Sequence, residues 1–147
     1  MESITVTEVW NIASNKKHSS LHYATIANLI EKLECSGILK RIDEKHLFYP
    51  KKVFRERGDT ELLFFSKDII TVSKINSFDN LTIRSFPTKN INRLELLNLS
   101  VDNSNVELVI HLLDERPIKL SNVKDTNIIL STKFYNLILD IYAMLTS

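Results

Sequence analysis

Residues Ser19–Pro50 read SSLHYATIANLIEKLECSGILKRIDEKHLFYP, and their pattern decides how the chain is parsed. Ile26, Leu29, Ile30 and Leu33 recur at i, i+3, i+4 and i+7, one apolar stripe that predicts a helix over 20–35. Ser19 or Ser20 offers its N-cap oxygen, and Gly37 stands where a helix stops in the left-handed conformation. Beyond the stop, Ile38–Ile42 is competent to form a strand, Asp43-Glu44-Lys45 predicts a charged turn, and His46–Tyr49 returns. Pro50 ends that strand because it has no amide hydrogen to donate.

Upstream, Val6, Val9, Trp10 and Ala13 repeat the helical spacing over 6–14, with Thr5 as cap and Glu8 in the capping-box position. Helix, turn, helix, glycine stop and basic hairpin form the order of a winged helix-turn-helix. The helix 20–35 would enter the major groove and the hairpin 38–50 would serve as the wing. On the face opposite the apolar stripe, His22, Tyr23, Thr25 and Asn28 are the candidate base-contacting residues. Asn pairs with adenine N6/N7, and a Thr methyl packs on the thymine methyl. Lys16, Lys17, Ser20, Lys32, Arg41, Lys45 and His46 flank that face and are the candidate phosphate contacts.

Residues 4–50 resemble the DNA-binding domain of the penicillinase repressor family. Thr5-Val6-Thr7-Glu8-Val9 matches the family's T-V-x-E-V run. Tyr23, Thr25, Ile26, Leu29, Ile30, Lys32, Leu33 and Gly37 match its recognition-helix pattern, and Phe48-Tyr49-Pro50 is close to its wing end. The resemblance implies a repressor that binds a palindromic operator as a homodimer, with Tyr23, Thr25 and Asn28 near the groove. The family's first helix has no counterpart, since only Met1–Ile4 precede the matching run. The apolar faces of the two remaining helices, including Val9, Trp10 and Leu21, therefore need another cover. The family's helical dimerisation tail is also absent, replaced by a strand-rich half.

The charge distribution points the same way. Residues 1–58 hold ten Lys/Arg against seven Asp/Glu, and residues 59–147 hold nine against eleven. A basic N-terminal part and an acidic remainder suit a DNA-facing end. The single cysteine, Cys35, excludes an internal disulfide and fits a reducing, cytoplasmic setting. No apolar run reaches the roughly 18 residues that span a bilayer. The start, MESITVTEV, lacks the pattern of a signal peptide.

From residue 59 the periodicity becomes strand-like. Glu61–Phe65, Ile69–Ile75, Leu81–Phe86, Ile91–Val101, an alternating run from Val106 and Ile118–Leu120 are six short strand candidates, separated by turns such as Asp102–Asn105. Phe134, Ile138, Ile141 and Leu145 then share one stripe of a final helix capped by Ser131 or Thr132. Strands followed by one amphipathic helix resemble a bacterial pleckstrin-homology-like barrel whose open end the helix covers. The resemblance implies partners at the loops or along a strand edge. Lys67 and Lys74 fall short of the cationic cluster that a phosphoinositide headgroup needs, so no membrane partner is expected.

No enzyme chemistry is legible. His18, His22, His46 and His111 share no metal-ligand spacing, and Gly37 and Gly58 cannot make a phosphate-cradling loop. Neither cofactor nor metal is expected. The fold class expected is α+β: a winged helix-turn-helix domain at 1–57, then a β-rich domain at 59–147 with a C-terminal helix. The function expected is a DNA-binding transcriptional regulator, repressor-like, acting on double-stranded DNA as a homodimer. The alternative is a non-enzymatic protein-interaction modulator of phage or mobile-element origin, with a protein partner engaged through the N-terminal domain or through residues 59–147.

Overall fold

A computed structural model describes residues 4–55, 59–75 and 80–147. Residues 56–58, where the domain boundary is expected, lie outside the described residues. Helix α1 (Val6–Lys16) starts at Thr5, whose hydroxyl accepts from the Glu8 amide at 3.1 Å. Helix α2 (Leu21–Cys35) starts at Ser20, which accepts from the Tyr23 amide at 3.3 Å. Gly37 adopts φ +78°, the left-handed stop expected of it.

Beyond Gly37 the chain departs from the sequence reading. Ile38–Arg41 is a helical turn, α3, and forms no strand. Ile38 and Ile42 are four apart, so a helical turn puts both on one face while Lys40 and Arg41 point outward. Ile38, Leu39 and Ile42 all pack against the core. A short β-branched run suits either conformation, and tertiary packing decides between them. The expected wing is therefore absent: 38–50 forms no hairpin. Strand β1 (Leu47–Lys51) pairs instead with β2 (Glu61–Phe65), antiparallel, with Leu47 opposite Phe65 and Lys51 opposite Glu61. A winged helix is not what these residues build.

The four-stranded sheet runs β1-β2-β3-β4, adding β3 (Ile69–Ile75) and β4 (Leu81–Pro87). It crosses residue 58, so elements from both sides of the expected boundary share one sheet. Pro50 sits inside β1, where an edge strand tolerates its missing amide hydrogen. A second, three-stranded sheet contains β5 (Ile91–Leu97), β6 (Glu107–Leu112) and β7 (Ile118–Ser121). The first of these is shorter than the sequence suggests. Asn98 takes φ +54°, and Ser100 turns the chain by bonding the amides of Ser104 and Asn105 at 2.9 Å. Helix α4 (Ser131–Thr146) closes the chain. Two antiparallel sheets and a C-terminal helix give an α+β fold whose element order agrees with the barrel expectation.

Both faces of the first sheet are covered. Cross-strand register puts Tyr49, Leu63, Val72 and Arg84 on one face, and the Tyr49 ring meets Phe134 of α4 at 5.1 Å. Phe48, Leu62 and Phe64 alternate to the other face, where Ser73 is also fully buried. Helix α2 lies against β3 on that side, and α1 packs on α2. Leu62–Phe65 are accordingly 1% exposed or less, the continuous burial of a strand sealed on both faces. In this packing Val9 is fully buried and Trp10 half-buried, while Leu21 stays 86% exposed.

A buried polar clasp joins the two sheets. The Tyr49 hydroxyl donates to Asp125 Oδ2 at 2.6 Å, the same oxygen accepts from the Ser121 amide at 2.8 Å, and the Lys52 amide donates to the Asp125 carbonyl at 2.9 Å. Beside it, the Asn122 side chain accepts from the Val106 amide and donates to the carbonyls of Ser104 and Ser131. Burial, then the neighbouring Asp125 carboxylate, pushes the Tyr49 hydroxyl well above its usual 10.0.

Tyr49→Phe leaves a buried carboxylate short of a donor and should cost about 1–3 kcal/mol in urea unfolding. Because the folded-state pKa is raised, the proton on Tyr49 stabilises the fold below pH 10, and this contribution fades as pH rises beyond it. Wild type should lose stability at alkaline pH more steeply than Tyr49→Phe. At Gly37 an added Cβ meets nothing within 4 Å, so only backbone strain opposes it. Gly37→Ala should cost about 1 kcal/mol, and Gly37→Asn less.

Candidate ligand cleft between the sheets

The face of the first sheet that carries Tyr49 is apolar under α4 and becomes polar away from it. Continuing the register, Lys51, Glu61, Lys74 and Thr82 lie beyond Tyr49, Leu63, Val72 and Arg84 on the same face. Opposite them stand Glu115 and Arg116 of the turn between β6 and β7, and Lys119 of β7. Together they line a cleft of about 340 Å³ floored by Leu63, Val72, Phe86 and Ile118. Five cationic side chains, Lys51, Lys74, Arg84, Arg116 and Lys119, face two carboxylates, Glu61 and Glu115.

Two contacts hold the walls together. Arg84 and Glu115 form an ion pair at 2.7 Å across the sheets, and Lys51 Nζ donates to the Lys119 carbonyl at 2.7 Å. Among the described residues Lys74, Arg116 and Lys119 make no ion pair. The unbalanced cations in a concave, partly apolar site favour an anionic occupant. The cluster draws on four separate segments, so no local run of sequence announces it. Lys67, considered beside Lys74 in the sequence, lies in the turn at the other end of β3 and is not part of the cleft.

The residues expected to read DNA are dispersed. Tyr23 is 4% exposed and lies under Lys16, whose Nζ stands 5.0 Å from its ring centroid. His22 Nε2 is 2.6 Å from the Val53 carbonyl, which ties α2 to the loop after β1. Asn28 and Lys32 are half-buried, and Thr25 is exposed but bonds back to the Leu21 carbonyl at 2.9 Å. Ser20 is occupied as the helix cap. Lys16 and Lys17 lie before α2, whereas Arg41 and Lys45 come after it, so about 22 Å of helix separates the two sets. His46 holds the Asp43 carbonyl at 2.6 Å and packs its ring on Phe64. The buried ring of Tyr23 takes it out of the face that the spacing suggests, and residues 38–50 do not pair with one another as a hairpin.

Other chemistry-bearing groups lie outside the cleft. Cys35 is exposed. His111 pairs with Glu95 at 2.6 Å beside Arg93 on the second sheet. Among the described residues no group of three or more His, Cys, Asp or Glu is placed to hold a metal ion, and no helix is long and apolar enough to cross a membrane.

The Arg84–Glu115 pair is open to solvent, with side chains 55% and 35% exposed. A double-mutant cycle of Arg84→Ala and Glu115→Ala in thermal unfolding should give a coupling of about 0.2–1 kcal/mol, falling as salt is added.

No protein-family profile matches the chain, and no curated protein does. Among solved structures, the chain is similar to a DUF1696 family protein with a pleckstrin-homology domain from Shewanella loihica. The two are 14% identical with a TM-score of 0.42, over 80% of this chain and 96% of that one.

Proposed function

We propose that this chain is a non-enzymatic interaction protein that grips an acidic segment of a protein partner in the cleft between its two sheets. The observation that carries the reading is the gathering of five cations against two carboxylates in one concavity with an apolar floor. Its 340 Å³ lies at the small end of ligand sites. That volume suits a few side chains of an extended segment, with Leu63, Val72, Phe86 and Ile118 to pack against its apolar portions. The lysines and arginines would steer the approach of the partner and set its register.

Duplex DNA has weaker support as the partner. The exposed Lys16, Lys17 and His18 favour it, but the buried ring of Tyr23 and the carbonyl-bound His22 oppose it.

Fluorescence anisotropy with a labelled ten-residue Glu/Asp-rich peptide tests the proposal, with a labelled duplex as the parallel arm. The peptide should bind at low salt and weaken as salt rises, and Lys74→Glu with Lys119→Glu should reduce its affinity at least tenfold. Peptide affinity indifferent to that double substitution would refute the proposal. Duplex binding abolished by Lys16→Glu with Lys17→Glu would restore the regulator reading.

A further inference from the structure

Helix α4 begins without the device that begins α1 and α2. Its N-cap is Leu130, no side chain caps it, and its first turn holds no acidic residue. The sequence offers Ser131 and Thr132, but the structure places them inside the helix. The Phe134 amide reaches the Leu130 carbonyl and the Ser131 amide reaches Ile128. The amides of Thr132 and Lys133 have no acceptor among the described residues. Uncapped amides at the positive end of a 16-residue helix favour an anion.

A second observation points to the same place. Ser131 lines an open cleft of about 630 Å³ together with Phe54, Arg55, Val123, Thr126 and Ile128–Ile129. Thr126 is 3% exposed, yet its hydroxyl has no hydrogen-bond partner. A buried hydroxyl left unbonded costs free energy, and turning it about χ1 toward the cleft would let an arriving carboxylate accept from it. Arg55 is fixed at the rim, where Nη1 donates to the carbonyls of Val123 and Lys124 at 2.9 and 3.3 Å. Its Nε and Nη2 have no partner, and no carboxylate lines the cleft, among the described residues.

Asn127 apart, the remaining walls are apolar and open. Ile128 and Ile129 are 93% and 88% exposed, and Val123 is half exposed. A carboxylate at the helix start and Arg55, with an apolar side chain immediately beside it, is the chemistry of a polypeptide C-terminus ending in an aliphatic residue. Backbone amides and a guanidinium are the donors such a terminus uses. We propose that this cleft captures the free C-terminal carboxylate of a partner protein, with the terminal side chain packed against Phe54 and Ile128–Ile129. The site shares no residue with the cleft between the sheets, so either can fail alone.

Isothermal titration with acetyl-Gly-Gly-Val-Leu as the free acid and as the C-terminal amide tests it, with octanoate as a third ligand. The acid should bind at least tenfold tighter than the amide. Arg55→Gln and Thr126→Val should each reduce that preference, and Thr126→Ser should keep it, with circular dichroism melting confirming that each variant folds. Equal affinity for acid and amide, or no binding of the acid at millimolar concentration, would overturn the proposal. Octanoate binding more tightly than the peptide would overturn the choice of a protein C-terminus.

Discussion

The fold depends on one hydrogen bond in the interior, from the Tyr49 hydroxyl to Asp125. Tyr49 belongs to the edge strand of the first sheet, and Asp125 lies just past the edge strand of the second. A carboxylate buried to 2% exposure costs several kcal/mol unless its lone pairs are engaged. Here one oxygen takes both the tyrosine hydroxyl and the Ser121 amide. The arrangement works only when the sheets lie at this separation, because the Tyr49 ring must also reach Phe134. Apolar packing alone tolerates sliding, whereas a buried charge with directed donors does not.

Much else is positioned by that closure. Holding β1 against the turn after β7 brings Lys51 to the carbonyl of Lys119 and Arg84 to Glu115. Those contacts shape the cationic cleft at one end of the inner face. They also place Phe54 and Arg55 beside Val123 and the start of α4, which shapes the apolar cleft at the other. Helix α2, backed by α1, acts on the opposite face, where the Leu62 and Phe64 side chains would otherwise meet water. Two surfaces with different chemistry thus arise from one internal constraint.

The sequence disclosed the elements better than their assembly. The stripe Ile26, Leu29, Ile30 and Leu33, the left-handed Gly37 and the bounds of β2 and β3 are local signals, and the structure contains all of them. The stretch 38–50 misled because local signals there are ambiguous. Ile38–Ile42 satisfies either period, and nothing local says that Leu47–Lys51 pairs with residues 61–65. The same short-range view made Tyr23 a groove-facing residue although α2 buries it. Neither cleft was legible, since Lys51, Arg84 and Lys119 meet only through long-range pairing. A missing cap at Leu130 cannot be seen while Ser131 and Thr132 stand beside it.

Native-state hydrogen exchange, resolved by residue, most directly tests whether residues 47–51 belong to one closed unit with the two sheets. The amides of Tyr49 and Lys51, whose alternate partners face β2, should be protected together with those of Leu62–Phe65. In Asp125→Asn, the amides of β1 and β7 should lose protection together, while those within α2 keep theirs longer. Rapid exchange at 47–51 in the wild-type protein, independent of 61–65 and of 118–121, would mean that this strand is a separate arm and would contradict the account.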